Sequence, residues 1–307
     1  MPVVSILVSF IQRGIVVLLL SFSAHTQAES GYAGQIYYQT FGSGTPLLII
    51  NGGPGLDSAG FEAVAKTIAA QGYQTILFDQ RGTGKSKLAS IDAESIQLAL
   101  MVQDIEQLRQ QLHIDKWVVL GHSFGGMLGA AYAAKYPQHI SKLIFSSSGG
   151  LDLQFRDQIA ERLLNNLSLQ EQIRLQMYQL RQRSGDDSDS TRDILAQLRA
   201  RAYVVDKSKA PLVAARLKVV DLKINQLVFA DLEKNHFDLK TQFKQFSAPV
   251  LVLQGENDII STETAQTIAG SFSKAELVLL PQCAHYGWLD QPDLYYNAVF
   301  RFLKANS

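Results

Sequence analysis

Short apolar runs about the length of a β-strand alternate with helical patterns along most of this chain, and that alternation constrains its fold more than any other feature. The runs fall at residues 35–41, 46–50, 75–78, 117–120, 142–146, 250–254 and 277–280. Several are apolar at nearly every position, as strands covered on both faces are. Helical patterns lie between and after them, at 61–70, 95–112, 127–136, 262–271 and 293–304. Strand and helix in turn predict an α/β protein with a mostly parallel, doubly wound sheet.

The alternation stops between about residues 149 and 246, a stretch rich in Gln, Arg and Leu. Ser168-Leu169-Gln170-Glu171 reads there as a capping box, followed by apolar positions Leu169, Ile173, Met177 and Leu180 at helical spacing. The expected division is a core of residues 29–147 and 248–307 and a helical cap of 148–247. The cap interrupts the core after the strand that ends near residue 146. Loops at the carboxyl ends of such strands surround the site, so an insertion there is expected to lie over it as a lid.

Within the core, Gly121-His122-Ser123-Phe124-Gly125-Gly126 joins the run Trp117-Val118-Val119-Leu120 to a small-residue helical pattern. A strand that reverses at once into a helix strains its central residue, and glycines on either side remove Cβ atoms that would collide. Ser123 is thereby the expected nucleophile. A serine hydroxyl needs a base, usually a histidine held by a carboxylate. Asp258, in Gly255-Glu256-Asn257-Asp258, and His285, in Pro281-Gln282-Cys283-Ala284-His285, each follow a strand, in the order Ser, acid, His. Glu256 is the alternative acid on the same loop. His122, inside the elbow, is expected to turn away from Ser123 and serve packing.

Acyl transfer also needs donors for the oxyanion. Asn51-Gly52-Gly53-Pro54-Gly55 follows the second strand, and the N–H groups of Gly53 and Phe124 are assigned that role. Gly82-Thr83-Gly84-Lys85-Ser86 looks like the end of a phosphate-binding loop, but Asp79 stands where that pattern requires its first glycine.

Composition removes other classes. Lys+Arg and Asp+Glu both number 28, and the basic residues are dispersed, so nucleic acid is not an expected partner. The lone cysteine, Cys283, supports neither a disulfide framework nor a metal cluster. No metal or other cofactor is expected. Arg13, the run Ile15-Val16-Val17-Leu18-Leu19-Leu20 and the small residues around Ala28 read as a secretory signal over residues 1–28. A periplasmic or secreted protein follows, free of stable membrane association once the signal is removed. The other reading of this segment is an uncleaved membrane anchor.

Together these residues resemble the α/β-hydrolase fold and, within it, the prolyl iminopeptidase family of serine peptidases. The family's oxyanion loop, His-Gly-Gly-Pro-Gly, is similar to Asn51-Gly52-Gly53-Pro54-Gly55. Its Asp-Gln-Arg-Gly-x-Gly-x-Ser is matched by Asp79-Gln80-Arg81-Gly82-Thr83-Gly84-Lys85-Ser86. The resemblance implies an aminopeptidase acting on short peptides, with Glu233, four residues before Phe237, receiving the substrate's free amino group. Glu233, Asn51 and Gly52 form the expected substrate-binding set. Asn51 in place of histidine, and His122 and Phe124 around the nucleophile, depart from the family pattern. A carboxylesterase or lactonase with the same triad is the alternative, and a catalytically silent hydrolase fold serving as a binding module is a third reading.

Overall fold

The structure, a computed structural model, describes residues 28–305. All but the last residue of the expected secretory signal lies outside the described residues.

Eight strands form one sheet: β1 (Glu29–Ala33), β2 (Ile36–Phe41), β3 (Thr45–Ile50), β4 (Tyr73–Phe78), β5 (Trp117–His122), β6 (Ile140–Ser146), β7 (Val250–Gly255) and β8 (Ala275–Leu280). Their order is β1-β2-β4-β3-β5-β6-β7-β8. The β1–β2 and β2–β4 pairs are antiparallel and every other pair is parallel. β1 was not among the expected strands. Its sequence Glu-Ser-Gly-Tyr-Ala has no apolar run, and as an edge strand it is mostly solvated.

Six core helices accompany the sheet: α1 (Glu62–Ala69), α2 (Leu98–Gln111), α3 (Phe124–Lys135), α9 (Thr262–Gly270), the short α10 (Gly287–Asp290) and α11 (Pro292–Lys304). Alternate strand residues feed two separate cores. Leu48, Ile50, Trp117 and Val119 pack with α2, α3 and α9, whereas Leu47, Ile49, Val118 and Leu120 pack with α1 and α11. Both faces of the central strands are thus covered, which is why their sequences are continuously apolar. Each such Leu or Ile, fully removed from water, stabilises the fold by about 1.5–3 kcal/mol.

Between β6 and β7 the chain makes only helices: α4 (Arg156–Asn165), α5 (Leu169–Arg183), α6 (Asp189–Ala202), α7 (Ala210–Leu217) and α8 (Leu222–Lys234). The Ser168–Glu171 capping box opens α5, the serine accepting from the Glu171 N–H and the glutamate from the Ser168 N–H. The apolar positions chosen by helical spacing, however, face solvent: Leu169, Ile173, Met177 and Leu180 are all exposed. The inward residue is Leu175, which packs with Leu167, Leu195, Leu198 and Ala202. Periodicity picks out a face of a helix, but neighbouring α6 decides which face is covered.

The cap is also tied to the core away from the site. Asp231 on α8 accepts the Leu98 N–H at 2.8 Å, capping α2 from across the chain where Gln97 supplies no cap of its own. A carboxylate there meets the positive end of the helix dipole.

Candidate active site

Ser123 stands between β5 and α3 with φ +54° and ψ −123°, in the left-handed half of conformational space that a non-glycine residue adopts at a cost. Close approach of neighbouring backbone makes the turn possible only with glycine on both sides. A Cβ on Gly121 would lie 2.3 Å from the Gly125 carbonyl oxygen, and one on Gly125 would lie 2.1 Å from that of Ile50. The Ser123 N–H is used by the Ser146 carbonyl at 3.0 Å, so β6 braces the elbow.

Asp258 and His285 sit on the loops after β7 and β8, at the same sheet edge. His285 Nδ1 lies 2.8 Å from Asp258 Oδ1, with both residues buried. Asp258 also accepts from the Ile260 N–H at 3.1 Å and from Gln254 Nε2 at 2.9 Å. Gln254 in turn donates to the Ile260 carbonyl, locking the loop and the carboxylate together. Glu256 is exposed and takes no part in this arrangement.

Aromatic residues hold the imidazole of His285 in place. Tyr203, from the cap, packs edge-on to it at 5.1 Å between ring centroids, and His122 approaches at 4.7 Å. The cap grips the backbone too, since the His285 N–H donates to the Tyr203 carbonyl at 3.0 Å. His122 is buried among Phe61, Tyr286 and Trp288, and burial holds it well below the usual histidine pKa, with His285 and Arg216 adding to the effect. It is a neutral packing residue next to Ser123.

The glycine loop lies directly against the serine. A Cβ on Gly52 would fall 2.6 Å from Ser123 Cβ and 2.7 Å from the His122 carbonyl. Phe124 begins α3, so its N–H is among those that a helix start leaves without an intrahelical partner. Gly53 follows Gly52 on that loop, with φ +71°.

Asn51 is buried, and its side-chain amide donates to the carbonyls of Gly52, Leu56 and Asp57 at 3.0–3.2 Å. Its Nδ2 thus shapes the loop from inside, while its Oδ1 is buried without a partner. The Asp79–Ser86 segment supports it from below: Gln80 donates to the Asn51 carbonyl at 2.8 Å, and Asp79 accepts from the N–H and hydroxyl of Ser58. Arg81 forms a two-pronged pair with Asp104, both bonds at 2.8 Å. The carboxylate of Asp79, the guanidinium of Arg81 and the hydroxyls of Thr83 and Ser86 are engaged internally, not arranged around a phosphate, while Gln80 Oε1 is buried without a partner.

From above, the cap holds the loop through three bonds. Arg216 Nη2 donates to the Gly52 carbonyl at 2.9 Å, Asn225 Nδ2 to that of Pro54 at 3.1 Å, and the Asp221 N–H to that of Gly55 at 2.9 Å. Gln254, Tyr203, Arg216 and Asn225 were not singled out by the sequence reading, and no local pattern marks them.

Glu233 is not brought to the serine. It is exposed on α8 and ion-paired with Arg156 of α4. That guanidinium stacks on Phe229 at 4.8 Å, and Phe229 in turn packs edge-on to Phe124 with centroids 6.5 Å apart. The carboxylate therefore stands at the outer end of a stack that begins at the elbow, with its charge already matched. Among the described residues no group of three or more His, Cys, Asp or Glu side chains is placed to hold a metal ion.

An elbow serine on a parallel sheet, a buried histidine–carboxylate pair and a glycine loop beside the serine define a serine hydrolase on an α/β scaffold. The sequence profile of the alpha/beta hydrolase fold family matches residues 45–292, and the chain belongs to that family. Among curated relatives, a proline iminopeptidase of Heyndrickxia coagulans is 28% identical over 284 residues, covering 89% of this chain and 96% of the relative. A proline iminopeptidase of Levilactobacillus brevis is 27% identical over 291 residues, covering 89% and 94%. Of solved structures, a proline iminopeptidase of Mycobacterium smegmatis superposes with a TM-score of 0.68 at 20% identity, covering 90% of this chain and 97% of that one. An esterase of Exiguobacterium antarcticum has the same TM-score at 18% identity, covering 88% and 96%. These structures share the fold.

Proposed function

We propose that this protein is an exported serine hydrolase that works through an acyl-enzyme and releases N-terminal residues, proline first among them, from short peptides. The observation that carries the chemistry is the buried His285–Asp258 pair packed against the elbow that presents Ser123. Ser123 attacks the substrate carbonyl while His285 takes its proton and later returns it to the leaving amine. Asp258 holds the ring and stabilises its charged form. The N–H groups of Gly53 and Phe124 receive the oxyanion, and water then releases the acyl group by the same steps. Support for a peptide substrate comes from similarity to proline iminopeptidases along nearly the whole chain.

One observation favours a second reading, a carboxylesterase or lactonase. Glu233, the intended partner of a substrate ammonium, is exposed and already paired with Arg156. In that case the carboxylate is incidental.

The two readings separate in one assay of the purified protein against proline and alanine p-nitroanilides beside short-chain nitrophenyl esters, with Ser123→Ala as control. Amide turnover lost in the variant supports the peptidase. Ester turnover alone leaves the second reading, and equal rates for wild type and variant on every substrate remove both. Because Glu233 is exposed and paired with Arg156, Glu233→Gln is expected to leave KM for anilides and esters alike unchanged; a rise for the anilides alone assigns it the substrate's amino group. Export is tested by fusing residues 1–28 to a reporter that is active only outside the cytoplasm.

A further inference from the structure

Arg216 and the oxyanion loop meet at one peptide group. The Gly52 carbonyl that accepts from Arg216 Nη2 at 2.9 Å belongs to the same planar amide as the Gly53 N–H. In a trans amide the C=O and N–H point in opposite directions, and no cis peptide occurs among the described residues. Fixing the oxygen therefore fixes where the N–H aims. Asn51 Nδ2 contributes a second, weaker bond to that oxygen at 3.2 Å.

The guanidinium is built into this position. It stacks on Phe61 with 4.7 Å to the ring centroid, its Cδ fills the space that a side chain on Gly60 would need, and Asp57 and Tyr286 are its charged and polar neighbours. Its Nε is buried without a partner. A charged donor in such surroundings polarises the amide it touches more than a neutral one in water does, and hydrogen bonds at the two ends of an amide strengthen each other.

We infer that Arg216 is a positioning residue for acyl transfer: it orients and polarises the Gly52–Gly53 peptide so that the Gly53 N–H is a stronger oxyanion donor. The inference rests on the serine-hydrolase reading and on Gly53 as the donor. It also makes the cap a part of the catalytic apparatus, because Arg216 lies on α7 and the donor it aims lies in the core.

The test uses the full protein and a fluorophosphonate probe, whose phosphorus is bonded by Ser123 Oγ as fluoride leaves and His285 takes the serine proton. The phosphoryl oxygen occupies the oxyanion position, so the labelling rate reports the donors without requiring the natural substrate. Arg216→Met is expected to slow labelling by about tenfold or more, less than the loss of a whole oxyanion donor. On whichever nitrophenyl ester or anilide is turned over, kcat falls in parallel and KM stays within about threefold. Arg216→Lys, which keeps a charged donor, restores most of the rate.

Asn225→Ala removes a cap bond to the neighbouring Pro54 carbonyl and is expected to change labelling by less than about twofold. An equal fall in Asn225→Ala reduces Arg216 to an anchor of the cap and overturns the inference. So does a folded Arg216→Met protein labelled at the wild-type rate. A wild type that the probe does not label, like Ser123→Ala, overturns the serine-hydrolase reading and the inference with it.

Discussion

Asp258 and His285, contributed by the loops after β7 and β8, meet at 2.8 Å with the carboxylate wholly buried and the imidazole almost so. Because Asp258 keeps two further donors, Ile260 N–H and Gln254 Nε2, its geometry is set independently of the histidine. Asp258→Asn is expected to leave the fold intact and lower kcat by on the order of 10⁴-fold, since an amide can present N–H to Nδ1 and stabilise the wrong tautomer. Gln254→Leu removes only the brace and is expected to cost less, up to about 10²-fold. Steady-state kinetics on the preferred substrate, with circular dichroism as a fold control, measures both.

His122 makes stability depend on pH with a definite sign. Burial keeps it neutral in the folded protein, its pKa well below the ordinary value, while the unfolded chain takes up a proton near pH ~6.5. The unfolded state therefore binds more protons as pH falls below that value. This contribution to stability is flat above pH ~6.5 and declines by up to ~1.4 kcal/mol per unit as pH drops toward the folded pKa. His122→Leu removes the slope. It is expected to cost less than about 1 kcal/mol at neutral pH, because Nε2 has no partner to lose and Nδ1 has only Ser146 Oγ at 3.5 Å. Urea unfolding of both proteins between pH 4.5 and 8 checks this; parallel curves contradict it.

Gly52→Ala should act on rate more than on stability. The new methyl group would stand 2.6 Å from Ser123 Cβ, so either the loop or the nucleophile must move. A shift on the order of 1 Å between nucleophile and oxyanion donors lowers kcat by about 10²-fold. Comparable kcat values in the variant and wild type would show that Gly53 does not need its present position.

On α5 the two faces should respond in opposite ways. Leu175→Ala opens a cavity among Leu167, Leu195 and Leu198 and is expected to destabilise the protein by about 2–5 kcal/mol. Ile173→Gln, on the exposed face, should change stability by no more than about 0.5 kcal/mol. Chemical denaturation distinguishes the two; a large loss at Ile173 would mean that this face is covered in solution.

The core was legible to the extent that its signals are local. A strand covered on both faces must be apolar along its length, so β3, β5 and β7 declare themselves, and an elbow must place glycines where Gly121 and Gly125 stand. β1 escaped because an edge strand has one solvated side and no apolar run. The apolar stripe of α5 was visible as a stripe, yet the inward residue Leu175 lies off it. Glu233 was visible as a carboxylate at a suggestive spacing, yet Arg156 of a different helix determines where its charge goes.

From the sequence alone came the alternation that makes a doubly wound sheet, the elbow at Ser123, and the chain order that names Asp258 and His285. Those follow from backbone sterics and from apolar periodicity, which act over a few residues. Tertiary structure decided the rest: that Gln254 braces Asp258, that Tyr203 of the cap packs on His285, and that Arg216 holds the Gly52 carbonyl across 164 positions of chain. A polar side chain's partner is set by which distant groups are buried beside it, and no local pattern of residues carries that information.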